Sequence, residues 1–95
     1  MAVNNIIDLH LNRCRRDKMN IQTEKEIGAN IKRLREKSGF TQEILAAKLQ
    51  LKGCDITRSS IAKIEVGQRH LYPDEIIFIK QILNVTYEEI FKTEL

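Results

Sequence analysis

The chain has 95 residues, room for one small core and too few for two. Hydrophobic residues make up 42% and charged residues 31%, with one Pro and four Gly, which excludes a disordered chain and disfavours a turn-rich all-β fold. The net charge of +3 is unevenly laid out: residues 1–22 carry +2, residues 23–70 carry +4, and residues 71–95 carry −3. A basic middle before an acidic end suits a face that meets a polyanion.

Cys14 and Cys54 are too few and too far apart for a disulfide scaffold, which points to a reducing cytoplasm. His10 and Cys14 stand at i and i+4, but two ligands do not close a zinc site and His70 has no companion. Neither metal nor cofactor is expected. Nor is an enzyme: Ser59 and Ser60 have no nearby His in sequence, there is no Gly-rich phosphate loop, and the carboxylates are scattered. The opening Met1-Ala2-Val3-Asn4-Asn5 lacks the basic residues of a signal peptide. The longest apolar run, Ile76 to Ile79, is far short of the roughly 20 residues a membrane span needs. These readings predict a soluble, cytoplasmic chain.

In chain order, residues 1–22 come first and read two ways. Val3, Ile7, Leu11 and Cys14 form a helical stripe, while Ile7, Leu9 and Leu11 alternate as a strand would. The segment ends in the basic run Arg13 to Lys18, suited to a DNA-backbone arm, a dimerisation helix or a loosely attached extension, and Met19 is an alternative start. Thr23-Glu24-Lys25-Glu26 has the form of a capping box and predicts the start of the first helix, with the globular domain over 23–95. Ile27, Ile31 and Leu34 share one face of that helix, and Gly39 ends it.

Thr41 can cap a second helix with Ile44, Leu45 and Leu49 inward, finishing near Leu51 or Lys52 before Gly53. A third helix is predicted over 57–66, capped by Thr57, with Ile61 and Ile64 inward. Its outward face is small and polar: Ser59, Ala62, Lys63 and Val66, flanked by Arg58 and Glu65. Pro73 suits the first position of a fourth helix, followed by Asp74 and Glu75, and its apolar residues on two sides predict the central core helix. Thr86-Tyr87-Glu88-Glu89 is another capping box and opens a short fifth helix with Ile90 and Phe91. The fold class is therefore all-α, a compact five-helix domain. Its second and third helices form a helix-turn-helix, the arrangement that presents one helix to a DNA major groove.

Thr41-Gln42-x-x-Leu45-Ala46-x-x-Leu49, followed by Ile61-Ala62-Lys63-Ile64-Glu65-x-Gly67-x-Arg69, resembles the Xre/Cro, phage-repressor-like helix-turn-helix family. Arg35-x-x-x-Gly39-Phe40 and the closing Val85-Thr86-x-Glu88-x-Ile90-Phe91 match as well, so the resemblance covers roughly residues 25–91. One departure is plain. Gln50 occupies the family's usual Gly position, and Leu51 to Asp55 lengthen the turn, so that Ile61 follows Leu49 by twelve residues.

The resemblance implies a lambda-repressor-like fold and a sequence-specific DNA-binding transcriptional regulator, most simply a repressor bound as a homodimer to a palindromic double-stranded operator. Thr41 and Gln42 at the start of the second helix would meet a phosphate, with Gln42 also bracing the third helix. Arg58, Ser59 and Lys63 would face the bases, with Thr57 and Ser60 near the backbone. Gln68 and Arg69 would hold phosphates of the second strand, and Arg35 and Glu65 would form a structural ion pair. The alternative reading is a protein-interaction module, such as the antitoxin of a toxin–antitoxin pair, with a protein partner. The long turn from Gln50 to Ile56 is expected to be a spacer or backbone-contact loop, with Lys52 near a phosphate.

Overall fold

A computed structural model of the chain describes residues 21–93. These residues form five helices and no strand. Helix α1 runs through residues 21–37, α2 is Gln42–Leu51, α3 is Arg58–Glu65, α4 is Pro73–Leu83 and α5 is Tyr87–Phe91. The expectations for residues 1–20, including His10, Cys14 and the basic run, lie outside the described residues.

The caps follow the local chemistry closely. Thr41 and Thr57 are extended N-caps whose hydroxyls accept hydrogen bonds from the Ile44 and Ser60 backbone N–H groups, each at 3.1 Å. Thr86 and Glu89 complete a reciprocal capping box at α5. Pro73 opens α4, where its missing N–H costs nothing. Gly39 and Gly67 take φ of 78° and 80° just past α1 and α3, the left-handed turn that releases each chain from its helix.

One boundary differs. Ile21 and Gln22 are already helical, so Thr23 lies inside α1 and caps nothing. A Thr-x-x-Glu spacing forms a box only where the chain before the Thr is extended, and Ile21 and Gln22 have no feature that breaks a helix.

The core gathers residues from every helix: Ile31, Leu34, Leu45, Ala46, Leu49, Ile61, Ile64, Ile79, Leu83 and Ile90. The α4 helix is therefore one contributor rather than the centre; it buries Ile79 and Leu83, while Ile77 is 42% exposed. Ile44, expected inward, is exposed to the same degree, because the inward stripe of α2 is Leu45, Ala46 and Leu49. α2 packs on both α3 and α4. Asn30 ties α1 to the far end of the chain, its Nδ2 donating to the carbonyls of Ile90 at 3.0 Å and Lys92 at 2.7 Å.

The long turn between α2 and α3 is part of this core. After Leu51 the chain turns through Gly53 at φ 93°, and the Cys54 N–H returns to the Leu49 carbonyl at 3.0 Å. Cys54 and Ile56 are then buried, Ile56 completely. Gln50 closes the loop by donating from Nε2 to the Ile56 carbonyl at 2.7 Å. Of the expected spacer or backbone-contact loop, the spacer is corrected: the added residues bring one more isoleucine and a cysteine into the interior.

Candidate nucleic-acid interface

The position of α3 is set at its C-terminal end by a buried carboxylate. Glu65, placed on the flank by its helical position, is 4% exposed. Arg35 of α1 donates to it twice, from Nε to Oε2 at 2.6 Å and from Nη2 to Oε1 at 3.1 Å, and Nη1 of the same guanidinium reaches the Phe40 carbonyl at 2.7 Å. Gln42, first residue of α2, donates from Nε2 to Glu65 Oε1 at 2.9 Å. One carboxylate thus joins three helices. The hydrogen bond to Glu65 raises the Arg35 pKa against the lowering effect of burial, so the cation stays fixed.

A second feature locks the same helix end. Gly28 of α1 packs directly on α3: a Cβ there would collide with the Ile64 carbonyl oxygen and stand 2.9 Å from that of Glu65. No sequence signal marked this glycine, since its helical periodicity gives no hint of a backbone crossing.

Held this way, α3 turns its polar side outward. Arg58, Ser59 and Lys63 are exposed, and Ala62 between them is half-buried. Arg58 is drawn toward α2, its Nε 3.8 Å from Glu43 Oε1, in a pair exposed on both sides and so contributing little stability. Thr57 and Ser60 share a hydroxyl contact of 3.1 Å at the start of α3. Thr41, Gln42, Glu43 and Arg58 line one open depression of about 650 Å³ with Arg35, Glu36, Gly39 and Phe40. The first turns of α2 and α3 therefore border one concavity, and helix N-termini favour anions there.

The predicted site residues divide into two groups. Thr41, Thr57, Arg58, Ser59, Ser60 and Lys63 gather on the α2–α3 side, and Gln68 is exposed just beyond α3. Gln42 is half-buried, with its amide N–H already engaged by Glu65. Arg69, expected with Gln68 to hold phosphates, has its guanidinium in a two-bond pair with Glu75 of α4, Nη1 to Oε1 and Nη2 to Oε2, each 3.0 Å. Glu75, a first-turn acid matched to the helix dipole, thus has a partner that dipole reasoning does not reveal. Among the described residues no cluster of three His, Cys, Asp or Glu is placed to hold a metal, and no helix is long and apolar enough to cross a membrane.

An exposed polar helix, set behind a capped helix and braced by a buried Arg–Glu pair, defines the helix-turn-helix class of domain. The sequence profile of the helix-turn-helix domain family matches residues 28–95, more than two thirds of the chain, and the chain belongs to that family, among the Xre/Cro-like helix-turn-helix families. No curated protein matches the chain.

Proposed function

We propose that the protein is a cytoplasmic, sequence-specific transcriptional regulator, a repressor that binds a palindromic operator as a homodimer without a cofactor and without enzymatic activity. The observation that carries this reading is the outward face of α3, where Arg58, Ser59 and Lys63 are exposed while Glu65, behind them, is tied to α1 and α2. An α-helix enters a major groove, and arginine or lysine donates to guanine O6 and N7 while serine serves either base type. Thr41, Gln42, Thr57, Ser60 and Gln68 surround that face, where the backbone phosphates run. Such contacts fix register, whereas α3 supplies the sequence preference.

A second reading, an antitoxin-like partner of another protein, is favoured by the exposed aromatic residues of α5. Tyr87 and Phe91 of α5 stack with centroids 6.4 Å apart, and both are over two fifths exposed. An exposed aromatic pair of this kind suits a protein surface. Selection of bound sequences from random duplex DNA tests the first reading. An enriched motif with two-fold symmetry is expected; no enrichment at low salt leaves the second.

A further inference from the structure

Beyond α3 the chain makes a seven-residue excursion, 66–72, before α4 begins. It leaves α3 through paired returns, Gly67 N–H to the Ile64 carbonyl at 3.1 Å and Gln68 N–H to the Lys63 carbonyl at 2.8 Å. Gln68 is exposed, and beside it Arg69 folds back. Arg69 Nη1 donates to the His70 carbonyl at 2.9 Å, and both terminal nitrogens grip Glu75. Glu75 Oε1 also accepts from the Tyr72 N–H at 3.0 Å. A single carboxylate therefore holds the middle of the loop, its end and the first turn of α4.

Burial makes this grip consequential. The Glu75 side chain is 7% exposed and that of Arg69 24%. Arg69 also lines a pocket of about 150 Å³ with Ile64, Leu71, Ile76 and Phe91. Pulling the guanidinium out to a phosphate would strand a buried carboxylate, which costs more than an exposed phosphate contact returns. The loop has a further tether, since His70 Nδ1 touches Glu24 of α1.

We propose that Arg69 and Glu75 form a latch that positions the loop after α3, and with it Gln68, against DNA, so that Arg69 is a positioning residue and not a phosphate ligand. This rests on the DNA-binding reading above. The two roles for Arg69 differ in sign for one substitution. Glu75→Gln weakens the hold on Arg69. A latch then loses its geometry, whereas a phosphate ligand gains a freer cation.

The test compares the unaltered chain with Glu75→Gln and the gentler Arg69→Lys, which keeps the charge and loses the fork. Affinity is measured by fluorescence anisotropy for the selected operator and for a random duplex over a series of salt concentrations, at a temperature where circular dichroism shows every variant folded. Both variants are expected to lose operator affinity by about tenfold, the scale of one lost hydrogen bond at Gln68. Random-duplex affinity and the salt slope should match the unaltered chain. A merely structural role would leave the operator-to-random ratio of the folded protein unchanged, and that result overturns the proposal. So does tighter binding with a steeper salt slope for Glu75→Gln, because a freed cation adds about 0.9 to the slope per phosphate. Amide exchange at Gln68, His70 and Leu71 reads the latch without DNA. It is expected to speed up severalfold in Glu75→Gln, and unchanged exchange overturns the latch alone. Absence of duplex binding by the unaltered chain overturns the DNA-binding reading, distinguishably from either.

Discussion

Gly28 of α1 lies against the carbonyl oxygen of Ile64 in α3, with no space between them for a methyl group. This contact lets α1 approach α3 closely enough for Arg35, two turns further along, to reach Glu65. Gly28→Ala must push the helices apart, and overpacking of this kind costs about 1–3 kcal/mol or more. Gly39→Ala has open space around its Cβ and suffers only the strain of a left-handed backbone, about 1–2 kcal/mol. Urea denaturation should therefore show Gly28→Ala as the less stable of the two, with specific DNA binding lost alongside. The opposite order would mean that α1 and α3 are further apart than described.

Arg35→Ala leaves the Glu65 carboxylate stranded at 1% side-chain exposure. Loss of one partner of a buried pair costs about 3–5 kcal/mol. Replacing both partners by apolar residues of similar volume, Arg35→Met with Glu65→Leu, removes the stranded charge and should recover most of that loss in thermal melts. The double variant also releases Gln42, so its operator affinity should remain low even where its stability returns.

Ile56 separates the two readings of the long turn. It is fully buried, so Ile56→Ala should cost about 2–5 kcal/mol by equilibrium unfolding. Lys52→Ala, on the exposed side of the same turn, should leave the melting temperature unchanged and lower affinity equally for operator and random DNA. A spacer outside the core would show neither the loss for Ile56 nor its contrast with Lys52.

Acid should act through Glu75. Burial alone would raise its pKa, but the Arg69 hydrogen bonds, the Tyr72 N–H and the Arg69 charge outweigh it and hold the carboxyl below its ordinary 4.5. With the folded value depressed, the contribution to stability is present above the ordinary value and is lost as pH falls through the folded one. Stability measured by urea should thus decline below about pH 4.5 more steeply in the unaltered chain than in Glu75→Gln. Parallel acid profiles would show that the pair contributes no pH dependence.

The local punctuation of the fold was legible because caps act over three or four residues. Thr41, Thr57, Thr86 and Pro73 announced their helices, and Gly39 and Gly67 their ends. The Arg35–Glu65 pair came from the family resemblance, and the structure brings the two together. What remained hidden depends on contacts between elements. Gly28 gives no local signal of a helix crossing, and Glu75 looked like a dipole-matched acid although its partner lies in the preceding loop. The long turn read as a spacer because burial of Cys54 and Ile56 is decided by how the chain doubles back to Leu49. Thr23 misled for a local reason: the same spacing occurs inside a helix as at its start.

The most direct measurement is the affinity of the unaltered chain, Arg58→Ala and Lys63→Ala for every single-base variant of the selected operator. Each substitution should relax discrimination at particular positions by about 1–3 kcal/mol per lost base contact while the remaining positions keep their preferences. Uniform weakening at all positions would contradict base reading by α3.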